Sequence, residues 1–121
     1  MLFRSDIALL DVTASGASFG DPLFMDSTGF LDIADASSSS TMPCRALALE
    51  SGSGEKKVLL RGFVRDDSWT WTPGGDIYIS TSGTLTQTKP SASGEQVQIV
   101  GFATHADRMY FNPNYMLIEV A

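Results

Sequence analysis

The chain has 121 residues, which is long enough for one domain with a single modest core. Only 18% of its residues are Asp, Glu, Lys or Arg and the net charge is -6, so it lacks the clustered basic side chains with which proteins bind nucleic acids. The one cysteine, Cys44, excludes an internal disulfide, and with the one histidine, His105, it leaves too few ligands for zinc. No metal and no other cofactor is predicted.

Residues 1–14 contain no turn signals, and Asp6 interrupts their apolar stretch. They predict neither a signal peptide nor a membrane span, which favours synthesis and assembly in a reducing cytoplasm. The segment forms either an edge strand or an arm that reaches onto a partner, while residues 15–121 form a single β domain. Candidate protein-interface residues in the segment are its apolar side chains Leu2, Phe3, Ile7 and Leu9.

Glycine and proline interrupt the rest of the chain at short intervals, so at most one or two helical turns fit, near residues 42–50. β-Branched and aromatic residues predict short strands at 23–25, 58–64, 76–80, 96–102, 109–111 and 115–120. In 96–102, alternation separates Val97, Ile99 and Gly101 from Gln96, Gln98 and Val100, which predicts one buried face and one wetter face. The expected fold is all-β, a compact small barrel or sandwich of short antiparallel strands.

A faint internal repeat has an offset of about 54 residues. In each copy Gly-Asp enters a strand, a Ser/Thr/Gly turn follows, and a leucine, Leu31 or Leu85, opens the next strand. The repeat predicts two hairpin-based units, at about 16–56 and 70–121. They would share one core, because neither could bury its apolar face alone.

The sequence shows no pattern of catalytic residues, and we expect a non-enzymatic protein. His105 and Asp107 lie near each other among many serines, but a catalytic triad needs three groups brought together in space. The surrounding residues predict a polar turn between strands. Asp66 and Asp67 likewise predict a turn before Trp69.

Two aromatic segments are the strongest candidates for protein contacts. In a strand, Trp69 and Trp71 would share one face, where they would either anchor a partner or cap the core. Tyr110 and Tyr115 flank Asn112-Pro113-Asn114, which predicts a hairpin turn, and the same two alternatives apply to them.

The segment from Lys57 to the end resembles a domain of tailed-phage structural proteins. The resemblance rests on the runs at residues 62–64, 69–75, 77–80, 83–90 and 97–103, read as GFV, WTWTPGG, IYIS, GTLTQTKP and VQIVGFA. Residues 20–24 and 44–48 are similar to the partner segment of small capsid decoration (cement) proteins.

This resemblance implies a compact β module on the outer capsid surface of a bacteriophage virion, made in the host cytoplasm. Its partners would be the major capsid protein and neighbouring copies of itself, in a trimer or alternatively a dimer, with no nucleic acid and no membrane. Head-fibre and tail-associated adhesion modules share the C-terminal pattern and are the alternative. The lack of a repeated shaft in this sequence favours the decoration protein.

Overall fold

The structure is a computed structural model, in which residues 5–121 are described. This part of the chain is almost entirely β, which confirms the predicted fold class. No helix within it is long and apolar enough to cross a membrane. The strands are β1 Asp6–Ala17, β2 Pro22–Met25, β3 Leu31–Ile33, β4 Ala46–Ala48, β5 Gly52–Arg65, β6 Asp76–Ile79, β7 Leu85–Thr86, β8 Gln96–Val97, β9 Gly101–His105, β10 Arg108–Phe111 and β11 Ile118–Glu119, and Ser39–Thr41 forms a 3-10 turn.

A closed five-stranded barrel forms from the N-terminal half of the chain, and we call it the first unit. Its strands are ordered β1-β3-β2-β4-β5, and β5 pairs with β1 to close the circle. All pairings are antiparallel except that of β1 with β3, which is parallel and joins Val12 to Leu31. β1 thus runs past residue 14 as an integral strand of the barrel.

The second unit is a sheet that continues from the end of β5 in the order β5-β10-β9-β6-β7. A separate two-stranded ladder, β8 with β11, lies beside it. The larger core cluster contains side chains of both units, among them Leu47, Leu59, Ile77, Met109 and Phe111. A smaller cluster around Val12, Leu23, Leu31 and Val58 fills the first-unit barrel.

The two units pair their strands in the same register. Met25 faces Leu31 in the first hairpin, and Ile79 faces Leu85 in the second, each shifted by 54 residues. The turns also match: the N–H of Asp26 donates to the carbonyl of Phe30, and the N–H of Ser80 donates to the carbonyl of Thr84, both at 2.8 Å. The repeat also includes β1, because β1 pairs with β5 in the first unit as the end of β5 pairs with β10 in the second. The two repeated units therefore begin before residues 16 and 70.

β5 belongs to both units because its direction changes near its centre. Val58 points into the barrel, whereas Leu59 and Val64 both point into the larger core. Between them, Leu60 is an extra residue in the pairing with β1, and Gly62 has a φ of 148°. A bulge followed by glycine bends a strand sharply. Because of this bend, the first part of β5 separates the two core clusters, and its last part forms one side of the larger cluster.

The one or two helical turns that the sequence allowed near residues 42–50 do not form. Pro43 provides no backbone N–H, and the following residues form β4, whose Ala46 and Leu47 pair with Leu23 and Pro22 of β2. Pairing across the barrel therefore decides the conformation of this segment.

The alternation predicted for residues 96–102 is also wrong. The segment divides into β8 and β9, and Gln96 and Gln98 are buried while Ile99 is exposed. The reason is the side-chain amide of Gln98. It accepts from the Cys44 N–H at 2.8 Å and donates to the carbonyls of Cys44 and Asn114, each at 2.9 Å. Burial is favourable because both ends of the amide are satisfied.

Gly83 and Gly29, at equivalent turn positions, give a test of contact between the units. Both have left-handed φ values, +81° and +87°, so alanine costs about 1–2 kcal/mol of folding free energy at either site. A Cβ at Gly83 would lie 2.7 Å from Ile33 Cγ2, whereas nothing lies within 4 Å at Gly29. We expect Gly83→Ala to cost about 1–3 kcal/mol more than Gly29→Ala. Urea unfolding followed by tryptophan fluorescence measures the difference, and equal costs would contradict the packing of this turn against the first unit.

Gln98→Leu tests the buried amide. It removes the partners of one N–H and two carbonyls, and we expect a loss of about 2–4 kcal/mol in the free energy of unfolding. Gln87→Leu is the matched control, because Gln87 makes the same double contact with the exposed Thr72 backbone, at 2.8 and 2.9 Å. Water can replace that contact, so its loss should cost about 1 kcal/mol or less. Similar losses in the two variants would refute a special role for Gln98.

Candidate protein-interaction surfaces

The predicted interface residues of the N-terminal segment divide into two groups. Leu2 and Phe3 lie outside the described residues. Ile7 and Leu9 are on the outer face of β1, 54% and 57% exposed. Ile7 pairs with Leu59, which is buried. The exposed side chains of Ile7 and Leu9 therefore extend a buried apolar layer into solvent.

Trp69 and Trp71 lie in the loop between β5 and β6, so their assignment to a strand is wrong. Their rings nevertheless contact each other, with centroids 5.4 Å apart, and both are half-buried against the larger core. The Trp71 indole N–H is buried and, among the described residues, has no acceptor. In this arrangement the two rings cap the core.

The loop begins with the predicted aspartate turn. Asp66 accepts from the Ser68 hydroxyl at 2.7 Å and the Ser68 N–H at 2.9 Å, and the Trp69 N–H donates to the Asp66 carbonyl. These bonds, chiefly that of the hydroxyl, lower the pKa of the Asp66 carboxyl. His105 and Asp107 flank the tight turn between β9 and β10, as expected for a polar turn.

Three aromatic side chains form a row across the outer face of the second unit, and we call Phe63, Tyr110 and Phe102 the aromatic row. Tyr110 pairs directly with Phe63 of β5 and Phe102 of β9. Its ring centroid lies 4.9 Å from that of Phe63 and 6.0 Å from that of Phe102. Phe63 and Phe102 are 46% and 44% exposed.

Sequence reasoning identified Tyr110 but missed Phe63 and Phe102. Each of the two phenylalanines sits between buried residues, in Gly62-Phe63-Val64 and Gly101-Phe102-Ala103. That alternation in the sequence is the signal that could have placed both rings on an outer face.

Charged side chains surround the aromatic row. Arg65 contacts Asp67 at 2.8 Å and Asp107 at 3.3 Å, and Arg108 contacts Asp107 at 3.6 Å. The hydrogen bond that the Arg65 guanidinium donates to the Asp67 carboxylate raises the pKa of Arg65 further. Arg61 and Asp6 form another exposed pair at 2.8 Å. Exposed pairs of this kind contribute little to stability, but they define the charge that a partner meets.

A third apolar surface, the C-terminal patch, consists of Ile99, Met116 and Ile118, which are exposed. A cavity of about 160 Å³ lies among these residues and Tyr78, Val97 and Asn114. β11 fixes the patch, because Ile118 pairs with Val97 of β8.

Tyr115 lies next to the C-terminal patch. It is 52% exposed, with the Arg45 guanidinium 4.9 Å from its ring centroid. The predicted hairpin turn before it does not form, since residues 112–117 contain no strand.

The chemically reactive groups are dispersed. Within residues 5–121, no three His, Cys, Asp or Glu side chains are grouped so that they could hold a metal ion. Cys44 is fully buried in the larger core, and its burial raises the pKa of the thiol to about 12.

No protein-family model matches the chain, and no curated protein is similar to it in sequence.

Cys44 is expected to be inert in the folded protein, because only the thiolate is a good nucleophile. At about pH 8, Ellman's reagent should label native Cys44 only as fast as the protein unfolds, and should label the urea-unfolded chain completely. Rapid labelling of the native chain would contradict the burial of this thiol.

Proposed function

We propose that the chain is a capsid decoration protein, which binds the outer surface of a phage head and stabilises its lattice. The observation that carries the proposal is the presence of three separate exposed apolar surfaces on one small β body. They are the Ile7 and Leu9 pair on β1, the aromatic row and the C-terminal patch. Monomers usually bury such surfaces, and exposed patches mark contacts with other proteins.

Several separate surfaces suit a protein that contacts more than one neighbour. On a lattice, each contact can be weak, because attachment at one surface raises the effective concentration at the next. A rigid β body keeps the surfaces at fixed angles and adds little ordering entropy on binding. Contacts with the shell and with neighbouring copies would then combine.

The charge of the chain supports the same role. With 14 acidic and 8 basic residues, the chain would be steered toward a basic partner surface and kept apart from free copies before assembly. A lattice-bound protein benefits from both effects, since it must reach the shell before it associates elsewhere.

Quantitative gel densitometry of purified virions that carry this chain tests the proposal. We expect the 13.0 kDa chain to be present at a ratio to the major capsid protein of one, or a simple fraction of one. Virions depleted of the chain should lose heat stability and regain it when the purified chain is added back. A tail protein of the same particle, quantified in the same lanes, is the control for a low-copy component.

A scarce chain would refute the decoration role. Copy numbers like those of the tail control, with no effect of the chain on heat stability, would instead support a head-fibre or tail-associated adhesion module.

A further inference from the structure

The outer face of β1 has two apolar side chains followed by a carboxylate. Ala8 and Leu10 pack against the barrel core, so Ile7, Leu9 and Asp11 lie on the opposite face, and all three are exposed. Side chains on one face of a strand follow one another at about 7 Å. Within the described part of the chain, Asp11 forms no ion pair. β1 therefore presents an apolar pair and then an unpaired negative charge in one row.

The C-terminal patch has apolar space beside an unpaired positive charge. Next to its cavity of about 160 Å³ lies one of about 510 Å³, lined by Lys89, Pro90, Ser91, Val97, Ile118 and Val120. The two cavities share Lys89, Val97 and Ile118. Lys89 is exposed, and of the described residues it is the one charged side chain that lines either cavity. It forms no ion pair with any residue from 5 to 121.

Three carboxylates lie near this patch without pairing with its cation. Glu95 accepts from two backbone N–H groups, at 3.0 and 3.1 Å, and Glu119 accepts from the Gln96 amide at 2.9 Å. Glu119 also lies on the opposite face of β11 from Ile118, because side chains alternate along a strand. Asp76 is exposed on the outer face of β6, one residue of which lines the smaller cavity. Asp76 thus gives the patch an acidic edge.

Neither surface pairs well with a copy of itself. Two C-terminal patches face to face would enclose two Lys89 cations between apolar side chains. On the outer face of β1, the exposed Lys57 pairs with Leu9 and the exposed Glu55 pairs with Asp11. Two such faces would therefore meet with two carboxylates and one cation from each copy. Enclosed charges without partners are costly, and like charges oppose the pairing of surfaces.

We infer that the C-terminal patch of one copy of this chain binds the outer face of β1 of a second copy, head to tail. Ile7 and Leu9 fill the apolar cavities, and Asp11 forms an ion pair with Lys89. The cation beside Leu9 meets the acidic edge at Asp76. Contacts between unlike surfaces form rings where the rotation between copies closes and open chains where it does not. The association is a property of the isolated chain, so the inference does not rest on the proposed capsid role.

Sedimentation equilibrium of two purified variants and of their mixture tests the inference. Leu9→Ser removes an anchor from β1 and Ile118→Ser removes one from the patch, at side chains that are 57% and 61% exposed. Either change alone should weaken the association of the 13.0 kDa chain about 30-fold. An equimolar mixture should form a dimer, because the intact patch of one variant binds the intact β1 face of the other. Nothing larger should form, since the two remaining surfaces are both altered.

Phe30→Ser is the matched control for these variants. Phe30 is 41% exposed on the first hairpin and belongs to neither surface, so its loss should leave the association unchanged. Tryptophan fluorescence checks that each variant is folded.

A charge exchange tests the ion pair without removing an apolar side chain. Lys89→Asp or Asp11→Lys alone places like charges at the contact and should weaken the association about tenfold. Both changes in one chain should restore most of it, because the reversed pair is again opposite in sign.

Four results would overturn the inference. They are a wild type that stays monomeric, a mixture of Leu9→Ser and Ile118→Ser that associates no more than either variant alone, an equal loss with Phe30→Ser, and a double charge variant as weak as its single parents. None of these results would decide the capsid role, which depends on copy number in the virion.

Discussion

The bend in β5 is the constraint on which the rest of the fold depends. Before the bend, Val58 fills the barrel and Leu59 faces the larger core; after it, Val64 faces the larger core from the other wall. Leu59 and Val64 are five residues apart, so in a straight strand they would point to opposite faces of the sheet, because side chains alternate strictly. A straight strand could not place both of them in the larger core. The bulge at Leu60 and the following Gly62 supply the change of direction. Two units with the same strand pairing are thereby joined into one body without a flexible linker.

The contact between the units is held by polar groups as well as apolar packing. The Gln98 amide joins β8 and its following loop to the backbone of Cys44, 54 residues away. The Ala36 N–H donates to the Ser80 carbonyl, and the Gln96 N–H donates to the Ala36 carbonyl. Such bonds add modest net stability but are costly to leave unmade once buried. They restrict how the second unit can sit on the first, which apolar packing alone does less well.

Local features made part of this structure predictable from sequence. The two hairpins with equivalent register follow from short alternating runs and glycine turns, so the all-β class and the strands at residues 23–25 and 76–80 were within reach. The burial of Gln98 could not be predicted from local sequence, because its amide bonds to the backbone N–H and carbonyl of Cys44, 54 residues away. The core-facing position of Trp69 and Trp71 is likewise set by tertiary packing rather than by strand alternation. The aromatic row depends on the pairing of three strands, of which only β9 and β10 are close in sequence.

Repetition of one strand pattern explains both the buried layer and the exposed one. The first copy of the outer row is aliphatic: Leu47 and Leu59 are buried in a close-packed core, and Ile7 continues the row into solvent. The second copy is aromatic, Phe102, Tyr110 and Phe63, and aromatic rings are the side chains that protein interfaces favour. Tyr110 also has a hydroxyl, which tolerates water at the edge of a contact. The same position in the sheet has therefore taken two chemistries, an aliphatic one at the two buried positions of the first unit and an aromatic one on the outer face of the second.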